Sequence, residues 1–206
     1  QITATITVTA VYTYNDVSCN GESETFTITV NPSPLVNFSE NDQVITSGEI
    51  TTAVDLTSPT TGVTFAWTVS VPTGITEVTT LTGTDNIPAE TLINSTTAPL
   101  DVVYTAIATG DIGFDCEGLP TLYTVTVNPQ AQVNPVDDQV VCNEDTLQIE
   151  FTTQNTGGIT TYSWTNDNSN IGLSNAGTGN IDITATNTTD EPITATIVVT
   201  PSFENG

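Results

Sequence analysis

The side chains of this chain that could carry acid–base or covalent chemistry are carboxylates and thiols. Its 206 residues include 24 aspartates and glutamates and 3 cysteines, with no lysine, arginine or histidine. Catalytic triads, Schiff-base amines and phosphoryl clamps each need one of the missing residue types. Two carboxylates about 5 to 9.5 Å apart could still hydrolyse a glycosidic bond. No such pair stands out, because the acids are spread along predicted loops. The sequence therefore predicts that the protein is not an enzyme.

The same composition excludes two classes of partner. A formal charge of −24 with no cationic side chain leaves nothing to bind nucleic-acid phosphates or an anionic lipid surface. No apolar run approaches the ~20 residues of a membrane-spanning helix. We therefore expect no nucleic-acid partner and no membrane insertion by this segment.

Carboxylates without cationic neighbours can be satisfied by water, backbone N–H groups or metal ions. Glu40 and Asp42 follow the Asn31-Pro32 dipeptide by a few residues, and Asp137 and Asp138 hold the equivalent places after a second Asn-Pro. Hard oxygen ligands on flexible loops suit Ca²⁺, so one hypothesis is a calcium ion at each junction between repeats. The alternative is that these are solvated turn residues. No other cofactor is expected.

An internal repeat sets the positions of these residues. The segment Phe26-Thr-Ile-Thr-Val-Asn-Pro32 returns as Tyr123-Thr-Val-Thr-Val-Asn-Pro129, 97 positions later (123 − 26), and Trp67 returns at the same distance as Trp164. The segment Ile2–Ile6 recurs without change as Ile193–Ile197. A self-similar period of this length indicates a module that buries its own core.

The register of the repeat divides the chain into three parts. Residues 31–127 form one complete repeat. We expect residues 1–30 to be the C-terminal strands of a truncated repeat, and residues 128–206 to be a repeat that lacks its last strand. Each part is expected to be a separate module joined to the next by an Asn-Pro linker, since proline restricts its own φ and favours an extended preceding residue.

Strand patterns dominate the repeats. Aliphatic residues alternate with threonine over residues 3–10, which is typical of a strand with one buried and one exposed face. Further strands are predicted at 51–56, 63–69, 92–94, 102–108 and 122–127. Trp67 and Trp164 each lie mid-strand, where a large ring can fill the space between two sheets. The sequence thus predicts an all-β fold of immunoglobulin-like sandwich repeats of about 97 residues arranged end to end.

These features together resemble the PKD-like, immunoglobulin-type repeats of Bacteroidetes surface proteins, whose units often end in a threonine-rich strand running into Asn-Pro. Within that family, the resemblance is to the filamentous gliding-motility adhesins of flavobacteria. It departs from the PKD pattern after the tryptophan, where an Asp-Phe-Gly-Asp-Gly type of sequence is usual and Thr68-Val69 stands here.

The resemblance implies a non-catalytic stalk segment of a long adhesin that acts in gliding motility and surface attachment. Such a protein would be extracellular, attached to the outer membrane and exported by the type IX secretion system. Its partners would be the gliding machinery and an extracellular polysaccharide or solid substratum. The alternative is a carbohydrate-binding or spacer module of a secreted polysaccharide-degrading enzyme.

The cysteines and one threonine are candidate sites of covalent modification. Alignment of the repeats indicates that Cys142 and Cys19 would pair with cysteines outside these 206 residues. In the repeat that contains Cys116, the position equivalent to Cys142 is occupied by Thr46. Cys116 therefore lacks its expected partner, and it is either a free thiol or bonded to Cys142 across the junction. Asp145-Thr146-Leu147 resembles the O-glycosylation signal of Bacteroidetes secreted proteins, which makes Thr146 a candidate acceptor.

Overall fold

A computed structural model of the protein describes residues 1–111 and 115–205. Within these ranges the regular structure consists of β-strands and one short 3-10 segment, Ser169–Ile171. The abundance of Thr, Val and Ile explains this, because β-branched side chains fit a pleated surface better than a helix. The all-β class predicted above is therefore confirmed.

The first part of the chain, residues 1–30, is a long antiparallel hairpin. Strand β1 (Ile2–Tyr14) pairs with β2 (Val17–Val30). Asn15 and Asp16 join them with φ values of 46° and 59°, the two positive φ angles that a tight hairpin turn requires. Every residue of both strands is solvent-exposed.

The second part, residues 31–127, is called the central unit. Its strands are β3 (Asn37–Phe38), β4 (Gln43–Thr46), β5 (Leu56–Thr57), β6 (Val63–Ser70), β7 (Ile75–Thr76), β8 (Thr82–Gly83), β9 (Ile93–Asn94), β10 (Leu100–Asp111), β11 (Asp115–Glu117) and β12 (Thr121–Asn128). The main sheet has the order β4-β12-β10-β6-β8, with β11 also paired to β10. Neighbours in this sheet are antiparallel except β12 and β4, which run parallel.

The opposite layer of the central unit is built from short pairs. Strands β3 and β5 pair, β7 and β9 pair, and isolated bridges join Ile50 to Thr91 and Val54 to Ile87. The core lies between the two layers: Val54, Ile87 and Leu92 come from one side, and Trp67 and Tyr104 from the other. This is an immunoglobulin-like sandwich with one broad sheet and one fragmented sheet.

The third part, residues 128–206, is called the third unit and is described to residue 205. Its strands are β13 (Thr146–Ile149), β14 (Ile159–Asn166), β15 (Ala176–Thr178), β16 (Ile181–Thr184) and β17 (Ile197–Glu204). Strand β14 lies between β15 and β17, while β13 pairs with β16. Phe151, Trp164, Leu173 and Ile181 form its buried core.

Candidate functional site

The tryptophans stand at the centre of both units and make the same contacts. Trp67 is 3% exposed and Trp164 is 7% exposed. Trp67 lies opposite Gly83, and Trp164 lies opposite Gly177. A Cβ on Gly83 would come within 2.6 Å of the first ring, and one on Gly177 within 2.2 Å of the second. The glycines are therefore required so that the neighbouring strand can cover each ring.

Each indole N–H also has a backbone partner. Trp67 Nε1 donates to Asp85 O at 2.8 Å, and Trp164 Nε1 donates to Gly179 O at 3.1 Å. Burial of an indole is costly unless its donor is satisfied. Both rings are thus held in the interior, and neither presents a face on which a sugar could stack.

Two Asn-x-Thr segments form equivalent turns. Asn94 Oδ1 accepts from Thr96 N at 2.9 Å and from Thr96 Oγ1 at 2.7 Å. Asn187 Oδ1 accepts from Thr189 N at 2.9 Å and from Thr189 Oγ1 at 2.8 Å. These are the Asx turns in which a side chain satisfies the backbone two residues on. Their amides stabilise the chain just before β10 and β17.

The acidic residues proposed as calcium ligands are placed at the surface. Glu40, Asp42, Asp137 and Asp138 are all exposed. Asp42 Oδ1 accepts a hydrogen bond from Thr124 N of β12 at 2.8 Å. Among residues 1–111 and 115–205 there is no group of three or more acidic or cysteine side chains that could hold a metal ion. The structure thus gives Asp42 a role in fixing β12, while the calcium sites stay a prediction.

The cysteines are unpaired in the part of the chain that the structure describes. Cys19 lies in β2 and is exposed, Cys142 is exposed, and Cys116 in β11 is half-buried. Thr146, the candidate glycosylation site, is exposed at the first position of β13. The accessible Thr146 hydroxyl is compatible with modification, but no contact in the structure distinguishes it from neighbouring threonines.

A buried carboxylate that the sequence did not indicate lies in the central unit. Glu90 is 6% exposed and has no cationic partner, since the chain contains none. Its oxygens accept from Thr79 Oγ1 at 2.7 Å, from Thr80 N at 2.8 Å and from Thr79 N at 3.3 Å. Hydroxyl and amide donors therefore stabilise the buried carboxylate in place of a cationic side chain.

Two buried tyrosines of the central unit have raised pKa values. Burial, followed by the charge of Glu90 and the nearby Tyr123, raises the pKa of Tyr104 to about 12. Burial is also the main cause that raises the pKa of Tyr123, with smaller contributions from Asp42 and Glu40 and an opposing hydrogen bond from Gln43. Both phenols are therefore neutral at physiological pH and act as core residues.

Two shallow grooves occupy equivalent places on the units. The groove of the third unit is lined by Thr161, Tyr162 and Ser163 with parts of β15 and β17. The groove of the central unit is lined by Thr64, Phe65 and Asp85 among others. The first groove has no carboxylate in its lining and the second has one, so neither offers the acid pair that glycoside hydrolysis needs.

The junction between the central and third units is held by several contacts. Pro129 is fully buried. Asn155 bonds twice to the segment directly after the Asn128-Pro129 linker, since its Oδ1 accepts from Gln132 N at 2.7 Å and its Nδ2 donates to Gln130 O at 3.1 Å. Thr156 N donates to Thr97 O at 2.8 Å, which links the loop of the third unit to the Asx turn of the central unit. These bonds restrict rotation about the linker.

Comparison with known protein families finds a match that overlaps the central unit. A PKD-like domain family matches residues 42–131, a range that begins 11 residues after the start of the predicted repeat 31–127 and ends 4 residues after its end. No curated protein matches the chain. No helix within residues 1–111 and 115–205 is long and apolar enough to span a membrane. The chain therefore contains a PKD-like domain of immunoglobulin-like all-β fold at residues 42–131.

Proposed function

We propose that the chain is a non-catalytic stalk segment of a long, filamentous bacterial cell-surface adhesin that acts in gliding motility and surface attachment. The observation that carries this proposal is the bonded junction, where Asn155, Thr156 and the buried Pro129 restrict the linker. In a stalk, each domain must fix the orientation of the next. A linker held by hydrogen bonds does this better than a flexible chain.

The absence of cations supports the same function. Neighbouring units that both carry excess negative charge repel one another within a Debye length of about 8 Å at physiological salt. This repulsion favours an extended arrangement and opposes lateral aggregation. The missing His, Lys and Arg side chains remove most catalytic mechanisms, so the proposed segment supplies reach and not chemistry.

The threonine-rich Val-Thr-Val-Asn-Pro segments resemble the repeats of SprB, a gliding-motility adhesin of flavobacteria. On this proposal the protein is extracellular, attached to the outer membrane and exported by the type IX secretion system. Its full-length form would interact with the gliding machinery and with extracellular polysaccharide or a solid substratum. This segment would hold the binding region away from the cell.

Small-angle X-ray scattering of the 206-residue chain tests the stalk. We expect a narrow distribution of extended conformations for the native protein, and a broader one for Asn155→Ala, which removes both bonds to the linker. The matched control is Asn134→Ala, because Asn134 bonds only Thr152 Oγ1 through its side chain. If Asn155→Ala left the scattering profile unchanged, the junction would not be the element that gives stiffness.

A glycan array distinguishes the stalk from a carbohydrate-binding module. A stalk segment should bind no glycan, whereas a binding module of a polysaccharide-degrading enzyme should show saturable binding to at least one polysaccharide. Saturable binding by this chain would contradict the stalk function. In the native bacterium, an antibody against the chain should label the surface of intact cells.

A further inference from the structure

The turn that precedes β10 is fixed to the rest of the central unit on two sides. We call residues 94–99 the docking turn. Asn94 is 4% exposed, and its Nδ2 donates to Val127 O of β12 at 2.8 Å. On the other side, both the backbone N and the Oγ of Ser95 donate to Gly74 O at 2.9 Å. The docking turn therefore has a fixed position relative to the end of β12, where the linker to the third unit begins.

The loop between β13 and β14 of the third unit lies against the docking turn at two points. Thr156 N donates to Thr97 O at 2.8 Å. Gly157 lies beside the Pro99 ring, since a Cβ on Gly157 would stand 2.9 Å from Pro99 Cδ. The φ of Gly157 is +76°, which also favours glycine. The contact thus requires a backbone donor and a residue without a side chain at consecutive positions of the loop.

The central unit has neither feature at the same places in its own loop. Counted back from the tryptophans, Pro59 stands where the third unit has Thr156 (67 − 59 = 164 − 156 = 8). Thr60 then stands at the place of Gly157. Proline has no N–H to donate, and threonine carries a branched Cβ. A loop with the central unit's residues at these two places could not make this contact. The docking turn therefore distinguishes between two loops of the same fold.

We propose that the docking turn is a recognition surface for the following sandwich unit. It accepts a unit whose loop has a backbone N–H and a glycine at the places of Thr156 and Gly157. The linker keeps this loop close to the turn, so that even a small contact stays formed. The third unit is then held at two separate places, which fixes one orientation. This recognition deepens the stalk function proposed above and rests on it, because the order and orientation of its units determine how far a stalk reaches.

Substitution of Gly157 tests the selection directly. Residual dipolar couplings measured by NMR report the orientation of each unit, and the native chain should show one fixed orientation between the central and third units. Gly157→Ala should abolish it, while the couplings within each unit still fit the native fold. Pro99→Ala in the same chain removes the Cγ and Cδ atoms that the new methyl group would meet. The double variant should therefore recover the native orientation.

The matched control for backbone strain is Gly179→Ala. Gly179 has a φ of +70°, close to that of Gly157, but its added Cβ would meet nothing within 4 Å, so the native orientation should persist. A Gly157→Ala chain with the native orientation, or a double variant that does not recover it, would overturn selection by Pro99. If Asn155→Ala frees the units while Gly157→Ala does not, the stalk stands and the docking turn falls. Independent orientations in the native chain would contradict the stiff stalk itself.

Hydrogen exchange gives a separate readout for Asn94, which we assign as a positioning residue. The Thr156 amide donates across the contact, so its exchange rate, followed by NMR, measures docking. Asn94→Ala should make this amide exchange about tenfold faster, because the docking turn loses its bond to Val127 O. Asn187→Ala is the matched control, since it removes a bond to Glu191 O within the third unit and should leave the Thr156 amide protected. Equal effects of the two variants would contradict the positioning role.

Discussion

The central and third units share a Trp–Gly contact but differ in how far their cores are closed. In the central unit, Tyr104 and Ala106 of β10 are at most 2% exposed. Their counterparts Ile197 and Val199 in β17 are only half-buried. The difference is the presence of β12 beside β10. One strand therefore decides whether the same local sequence pattern gives a sealed core or a partly open one.

The largest effect that would sharpen this comparison comes from the tryptophans. Trp67→Ala should lower the free energy of unfolding of the central unit by about 3–5 kcal/mol, the cost of a large cavity in a closed core. Trp164→Ala should cost less, because the core of the third unit is open on one side. Hydrogen exchange resolved by peptide gives the stability of each unit. Equal losses in both units would contradict the difference in closure.

Alkaline pH should destabilise the central unit selectively. A pKa of about 12 in the folded state, against about 10 in the unfolded chain, means that the neutral phenol of Tyr104 favours folding below pH 10. That contribution falls by roughly 3 kcal/mol as the pH rises from 10 to 12.

The check on this pH dependence is the variant Tyr104→Phe, studied by denaturant titration across the same pH range. The variant should show a smaller fall in stability, with the remainder due to Tyr123. The third unit has Ile197 at the place of Tyr104, so it should lose less. A fall of the same size in Tyr104→Phe would show that another group titrates.

The glycines opposite the rings should give an intermediate effect. Gly83→Ala would place a Cβ 2.6 Å from the Trp67 ring, and the closed core leaves the ring little room to move, so we expect a loss of about 1–3 kcal/mol. Gly177→Ala has an even closer approach to Trp164, but the open core allows that ring to shift. Melting curves of both variants against Gly48→Ala, whose added Cβ meets nothing within 4 Å, separate crowding from other effects. Gly48 has a φ of +92°, so its variant measures backbone strain alone.

The two Asx turns should give effects no larger than those of the glycines, with the smallest at Asn187. Asn94→Ala removes bonds to Ala98 and Val127 from a buried side chain, and it should cost about 1–3 kcal/mol. Asn187→Ala removes the bond to Glu191 O, the counterpart of the Ala98 bond, from a half-buried side chain, so we expect a loss of about 0.5–1.5 kcal/mol. Denaturant titration measures both. A greater loss for Asn187→Ala would indicate that its second donor is already bonded in solution.

The sequence predicts the long strands well and the short layer poorly. Runs of strand-forming residues separated by Gly, Pro, Asn and Asp predict strands at 63–69, 102–108 and 122–127, and the structure has strands at Val63–Ser70, Leu100–Asp111 and Thr121–Asn128. The predicted strand at 51–56 is mostly irregular, with only Leu56–Thr57 assigned. Thr51 there accepts a hydrogen bond from Glu90 N through its side chain. Such a contact joins residues far apart in sequence, and periodicity gives no sign of it.

The roles of the candidate site residues likewise depend on contacts between residues far apart in sequence. Composition alone excludes the catalytic mechanisms that require a His, Lys or Arg side chain, because this needs only a count of residue types. The positions of Glu40 and Asp42 suggest an ion site, yet the partner of Asp42 is Thr124 N, 82 residues away. The burial of Glu90 could not be predicted either, since its three donors lie at Thr79 and Thr80 on another loop. Pairing across the fold determines these roles.

The parallel pairing of β4 and β12 has a mechanical consequence. These strands lie near the two ends of the central unit, and four consecutive residue pairs join them. Tension along the chain would enter through one strand and leave through the other. Because they run side by side in the same direction, pulling slides them past each other and loads all their hydrogen bonds at once. Among the described residues, the Gln139–Cys142 segment has no such partner, so the third unit should yield first when these 206 residues are pulled from their ends.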